Sequence, residues 1–200
     1  MKTRVSQKGN RFTSDYVEYD SATLVANKLL WSEKQSILGF YVLFAINSGL
    51  RISDILSRKH SELVNLKAGD FLNLVERKTK KYKSIQINGK IIEAYSYLCK
   101  KLQDEGKYDS DSYIFTSQKN SVYHTESINT LLKYHFAGYA KNISSHSLRK
   151  SFARHVYEKN GQSENALVCL SEMFNHESLR TTRIYLNLRK EQLGNIYMNL

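Results

Sequence analysis

Proline is missing from the 200-residue chain, and cysteine is nearly so, with only Cys99 and Cys169. Without proline, element boundaries have to be read from glycine, capping residues and changes of period. Two cysteines 70 positions apart exclude a disulfide framework and a cysteine-based zinc site. They fit two reduced thiols on helix faces of a cytosolic protein. No apolar run approaches the roughly 20 residues that a membrane span needs. Residues Met1 to Asn10 are basic and polar and lack the apolar centre of a secretory signal. Acidic residues are also sparse, 19 against 30 Lys and Arg, which leaves a formal charge of +11. A charge of that size on a small chain favours a polyanion, and nucleic acid first, because phosphates attract without regard to sequence through counterion release. No basic amphipathic helix with an exposed apolar stripe speaks for a membrane surface.

What is present suffices for one compact domain: 41% of the residues are hydrophobic and 24% charged. No internal repeat is seen. Residues 1 to about 20 read as a basic polar arm, and residues 21–200 as the domain, ending in a tail helix from about 189. Ser32-Glu33-Lys34-Gln35 has the form of a capping box ahead of a mostly buried helix containing Ile37, Leu38, Phe40, Tyr41, Leu43, Phe44 and Ala45, stopped at Gly49. A second helix is expected from about Ile52 to Arg58. Residues 71–77 and 84–88 read as the strands of a β-hairpin around a very basic turn, Lys78 to Lys83. Gly89 to Gly106 has helical spacing, Tyr113-Ile114-Phe115 suggests a short strand, and the rest from Thr125 is helical with breaks near 142–145, Gly161 and 175–177. The fold class is therefore mostly α with a small antiparallel β-sheet.

Three stretches carry chemistry, and each is weak alone. Around Arg51 the chain reads Ser-Gly-Leu-Arg-Ile-Ser-Asp. By itself Arg51 is indistinguishable from a surface arginine, yet it sits at an apolar junction after a glycine. Asp54, three residues on, could hold its guanidinium if both lie on a helix. His146 and Arg149, in His-Ser-Leu-Arg, share a face if a helix begins at or just after His146. That is a pair of donors beside the free N–H groups of a helix start, an arrangement suited to phosphate. It equally suits a solvated helix end. His176 and Tyr185 are nine apart, which places them on opposite sides of one straight helix. A turn after His176, with a new helix from about Ser178, brings them together. Otherwise Tyr185 is a core aromatic, one of fourteen tyrosines.

In this order and spacing, over roughly residues 20–190, these stretches resemble the tyrosine recombinase (phage integrase) family, whose signature is Arg, Lys, His-x-x-Arg, His or Trp, then Tyr. On this sequence the signature falls on Arg51, a hairpin lysine, His146, Arg149, His176 and Tyr185, with the Thr181-Thr182 pair usual ahead of the tyrosine. Lys78, followed by Thr79, fits the lysine best, and Lys80, Lys81 and Lys83 are its rivals or DNA contacts. The chain departs from the pattern at Asn175, where glycine is usual, and in the 27 positions from Arg149 to His176, a few more than usual, which suggests an insertion near Gly161 to Glu164. Members usually carry an N-terminal domain that clamps the other face of the DNA. Here only about 20 to 30 residues precede the matching stretch, as expected of an excised domain or a naturally short protein.

The resemblance implies site-specific cutting and rejoining of double-stranded DNA in a mobile element. Arg51 and Arg149 would hold the non-bridging oxygens. His146 and His176 would add hydrogen bonds, one of them taking the proton of Tyr185. Tyr185 would form a 3′-phosphotyrosine bond, Lys78 would protonate the leaving 5′ oxygen, and Asp54 would support without reacting. No cofactor and no metal is expected. Expected partners are double-stranded DNA, further copies in a tetrameric synapse, and an accessory DNA-bending protein; the tail (Gln192, Leu193, Ile196, Tyr197, Met198, Leu200) either docks on a neighbouring copy, as in similar recombinases, or packs on its own domain, and the expected location is the cytoplasm, at the nucleoid. Two rivals remain. A type IB topoisomerase-like nicking-closing enzyme would relax DNA as a monomer, and an idle DNA-binding relative would shift DNA without a covalent adduct. A metal-dependent nuclease lacks its paired carboxylates.

Overall fold

The computed structural model describes residues 14–188 together with 197 and 198. Among these, helices dominate: α1 (Tyr19–Leu30), α2 (Ser36–Ser48), α3 (Ile52–Leu56), α4 (His60–Leu63), α5 (Gly89–Asp104), α6 (Thr125–His135), α7 (Ser145–Lys159), α8 (Glu164–Phe174) and α9 (Leu179–Tyr185). Strands β1 (Phe71–Val75) and β2 (Tyr82–Gln86) form one antiparallel hairpin. The expected fold class, mostly α with a small antiparallel sheet, is what the chain adopts. None of the described helices is long and apolar enough to cross a membrane. The expected tail helix falls mostly outside the described residues.

Helix α2 is the axis of the main core. Nearly every residue of it is buried, and it packs against α1, α5 and α7. Phe40 stacks on Phe115, while Tyr41 and Phe44 meet the same ring edge-on. Such aromatic pairs add about 0.5–1.5 kcal/mol each beyond area burial.

The start of α2 differs from the capping box expected at Ser32. The helix begins at Ser36 after Gln35, which makes no side-chain cap, and the Ser32 carbonyl instead accepts a hydrogen bond from Lys101 Nζ. Close packing is the cause. Helix α1, an addition to the expected elements, runs to Leu30 and crosses α2 at Gly39, where even a Cβ would overlap the Leu30 backbone. The chain must complete its turn before α2 can begin. Gly39→Ala is therefore expected to lower stability by about 3 kcal/mol or more, because backbone cannot yield as a side-chain tip can. A chemical-denaturation midpoint equal to wild type would contradict this packing.

The hairpin also differs in register. Strands were expected at 71–77 and 84–88, but β2 begins at Tyr82, so Lys83 pairs with Leu74 and Ile85 with Leu72. The connecting turn is tighter than expected because the Glu76 N–H donates to Lys81 O and the Lys80 N–H to Glu76 O, with Lys80 in the left-handed region at φ 58°. Residues Tyr113–Phe115 make only an isolated bridge, Lys59 to Tyr113, in place of a strand.

Helix α7 starts where the sequence breaks at 142–145. Ser144 caps it, with its Oγ accepting from the His146 N–H while Ser147 Oγ accepts from the Ser144 N–H. The extended segment 14–18 lies across α7: Lys150 Nζ donates to Ser14 O, and the Val17 N–H to Ser151 Oγ. Helices α7, α8 and α9 share a second apolar cluster of their own, including Phe152, Leu167, Leu170, Phe174 and Leu186, with Tyr185 packed on it.

Candidate active site

Gly49, in the left-handed conformation at φ 61°, ends α2 and turns the chain so that Arg51 precedes α3 as its N-cap residue. The Arg51 guanidinium donates to Glu76 Oε1 at 2.6 Å and to Phe174 O at 3.5 Å. Asp54 does not hold it, contrary to the sequence expectation. Arg51 lies outside the helix in an extended conformation, so the i,i+3 geometry never forms. The wholly buried Asp54 carboxylate instead accepts the Arg77 N–H at 2.8 Å through Oδ1, anchoring the hairpin turn, and its Oδ2 has no partner among the described residues.

Arg149, buried near the start of α7, lies with its guanidinium carbon 3.9 Å from the centre of the Phe174 ring, and its Nη1 donates to Gly49 O. One turn earlier, at the N-terminal end of α7, His146 lines a groove of about 1060 Å³ that it shares with Tyr185, Lys133, Lys141 and Lys150. Although His146 is exposed as a residue, crowding of its ring comes first in lowering its pKa below the usual value near 6.5. The positive charges of Arg149, Lys150, Lys78 and Arg51 follow.

Helix α8 closes in a Schellman arrangement. The Asn175 N–H donates to Glu172 O and the His176 N–H to Ser171 O, with Asn175 at φ 55°. This accounts for the sequence departure at Asn175: the position needs the left-handed region, which asparagine tolerates best after glycine. His176 is then fixed by Thr182, whose Oγ1 lies 2.9 Å from Nδ1, and it meets the Tyr185 ring edge-on at 5.4 Å. Desolvation, then Arg149 and Arg51, lower its pKa as well. Ser178 caps α9, so the turn between His176 and Tyr185 falls where the sequence places it.

Tyr185 ends α9 with its ring against Phe174 and under Lys150 Nζ, 5.3 Å from the ring centre. Its hydroxyl is buried without a hydrogen bond of good geometry among the described residues. Burial pushes its pKa up to about 12, and Arg149, then Arg51, oppose that rise. The six signature positions thus converge except for the lysine. Lys78 is exposed on the turn, near enough for its charge to reach His146, and Lys80 and Lys81 are exposed beside it. Lys83 points inward.

Sequence reasoning missed Glu76 and the inward role of Lys83. The signal was the two-residue period: Leu72 and Leu74 of β1 and then Glu76 just past it alternate as buried positions, and Lys83 and Ile85 of β2 and then Ile87 alternate on the same face of the hairpin. Lys150, directly after Arg149, was also passed over; it is buried with its ammonium over Tyr185.

Comparison with known proteins agrees with this geometry. The model of the phage integrase family matches residues 23–192. A probable integrase/recombinase, YoeC of Bacillus subtilis (strain 168), is 29% identical over 155 residues, covering 76% of this chain and 78% of that protein. Tyrosine recombinase XerC of Xanthomonas axonopodis pv. citri (strain 306) is 27% identical over 153 residues, covering 76% of this chain but 47% of that one. The chain spans about half the length of the XerC relatives that it matches over most of its own length. In fold it is similar to the XerH site-specific recombinase bound to palindromic difH substrate in a post-cleavage complex, with TM-score 0.69, 22% identity and coverage of 96% of this chain and 55% of that one. A lambda integrase dimer bound to a COC′ core site gives TM-score 0.61 at 16% identity, covering 89% of this chain and 61% of that chain. With a family model spanning most of its length and the signature side chains gathered around Tyr185, the chain belongs to the phage integrase family.

Proposed function

We propose that this chain is the strand-cutting and rejoining domain of a site-specific DNA recombinase, acting through a 3′-phosphotyrosine link. The observation that carries the reading is the Tyr185 hydroxyl, buried beside Arg149 with Arg51, His146 and His176 around it. A DNA phosphodiester is an anion that resists attack. Arg51 and Arg149 offer two guanidinium groups to its non-bridging oxygens and offset charge that builds on them in the pentavalent transition state. Tyr185 attacks phosphorus; the Tyr185 oxygen–phosphorus bond forms as the bond from phosphorus to the 5′ oxygen breaks. The Tyr185 proton passes to a histidine, and Lys78 gives a proton to the departing oxygen. Because a phosphodiester replaces a phosphodiester, the freed 5′-hydroxyl of the same or another strand can reverse the step. Asp54 supports by pinning the hairpin that carries Lys78, and Lys80 and Lys81 meet DNA phosphates. The names of solved neighbours bound to difH and COC′ DNA support double-stranded DNA as the partner. Full exchange would need four such domains in a synapse, aided by a DNA-bending protein.

The test is incubation with a nicked suicide duplex from the protein's own attachment site, in EDTA, followed by a denaturing gel. A protein–DNA band is expected; its absence under all conditions that permit binding would end this reading.

The histidines set the pH dependence. A proton acceptor must be neutral, and both His146 and His176 have pKa values lowered from 6.5. The rate of adduct formation should therefore rise with pH and reach half its maximum below pH 6.5. A half-maximum above pH 7 would assign the acid limb to some other group.

A further inference from the structure

The Tyr185-bearing unit is built separately from the main core. Its apolar contacts are with α7 in the second cluster. On its other side, what meets the hairpin and α3 is polar. Lys83 Nζ donates to Met173 O at 2.6 Å, and Arg51 reaches Phe174 O. Both acceptors are carbonyls of the last turn of α8, which no intrahelical N–H satisfies and where the helix dipole favours a cation. Glu76 joins the two cations: its Oε1 lies 2.6 Å from Arg51 Nη1 and 3.7 Å from Lys83 Nζ, and its side chain is wholly buried. Thr79 Oγ1 donates to the other oxygen at 2.5 Å.

A buried carboxylate in a site meant for phosphate is a liability. Paired with Arg51 alone, Glu76 would cancel the charge that the phosphate needs. A second cation on the same oxygen leaves the group with one net positive charge. Lys83 is placed for this by register, since it occupies an inward position opposite Leu74 where an apolar residue would ordinarily complete the face. Its side chain is only 11% exposed. Desolvation, followed by the charge of Arg149, lowers its pKa to about 8, with Glu76 opposing, so it remains mostly protonated at neutral pH.

We propose that Lys83 is a positioning residue: it clasps the last turn of α8, and with it the His176–Tyr185 unit, to the hairpin, and by sharing Glu76 it keeps the charge of Arg51 available to the phosphate. The clasp rests on geometry alone, whereas its effect on cutting rests on the recombinase reading. Lys83 differs from Lys78 in kind. Lys78 stands on the exposed turn as the proton donor, while the Lys83 ammonium is engaged with protein atoms.

Amide hydrogen exchange on the full chain tests the clasp without DNA. Lys83→Met should raise exchange by ~5-fold or more in residues 171–186, leave α2 and α5 unchanged, and be reversed by Lys83→Arg. Unchanged exchange, an increase spread through α2 and α5, or an arginine variant as loose as the methionine one would each overturn the proposal. Single-turnover cutting of the suicide duplex tests the consequence. Lys83→Met should slow cutting ~30-fold at unchanged DNA affinity, equally for a 5′-oxygen and a 5′-sulfur leaving group, since sulfur needs no proton donor. Recovery with sulfur would make Lys83 the acid and overturn its positioning role, as would an unchanged rate. A wild-type chain that forms no adduct would instead count against the recombinase reading, and the exchange result would still decide the clasp.

Discussion

Tyr185→Phe should abolish the covalent protein–DNA band while leaving the fold intact or slightly more stable. The two effects have separate causes. On the proposed reading the missing oxygen is the atom that bonds to phosphorus, so no residual route through position 185 exists, and cutting should fall by ~10⁴-fold or more. The ring contacts with Phe174 and His176 do not involve that oxygen. The hydroxyl is buried without a good hydrogen bond among the described residues, and only its contact with the Arg149 guanidinium is lost, so removing it relieves a desolvated polar group at little cost. A gain of up to about 1 kcal/mol is expected in denaturant unfolding. An adduct of undiminished yield in the phenylalanine variant, mapped by peptide sequencing to another tyrosine, would remove position 185 from the chemistry.

Arg149→Ala should fail on both counts. This guanidinium is buried, rests on the Phe174 ring and donates to the Gly49 carbonyl at the left-handed end of α2. Its loss leaves that carbonyl without its donor and a void between α2 and α8. A cost of about 3 kcal/mol in folding is expected. Cutting should fall by ~10³-fold, the order seen when a preorganised oxyanion donor is removed. Arg149→Lys separates the two effects. It keeps a charge but not the planar fork, so stability should recover further than rate. A lysine variant that cuts as fast as wild type would show that charge alone suffices at this position.

Much of this site was legible because short motifs carry their own geometry. His-Ser-Leu-Arg behind Ser144 starts a helix, which puts one donor at the rim and the other a turn below. Asn175-His176 ahead of Ser178 gives a helix stop and a new start, and that brackets the approach of Tyr185. What escaped depends on contacts between distant segments. Helix α1 buries Tyr19, Ala22, Ala26, Leu29 and Leu30, and the two alanines in the middle of that row leave a faint periodic signal. The capping box at Ser32 was overridden by the close crossing at Gly39, which local sequence does not report. Around Lys78 to Lys83, the run of charge hid the strand period. Lys83 read as one more exposed lysine of a turn, and Glu76 as the end of a strand, although Lys83 belongs to the inward row of β2 and Glu76 extends that of β1 by one step.

The Tyr185 hydroxyl and the Arg149 and Arg51 guanidinium groups come from a single polypeptide, within α9, α7 and the loop ahead of α3. On the proposed reading, each copy is a self-sufficient cutter for the strand it grips. The number of copies gathered on DNA then decides how many strands stand open at once and where their ends are sealed, without any copy borrowing its blade from a neighbour.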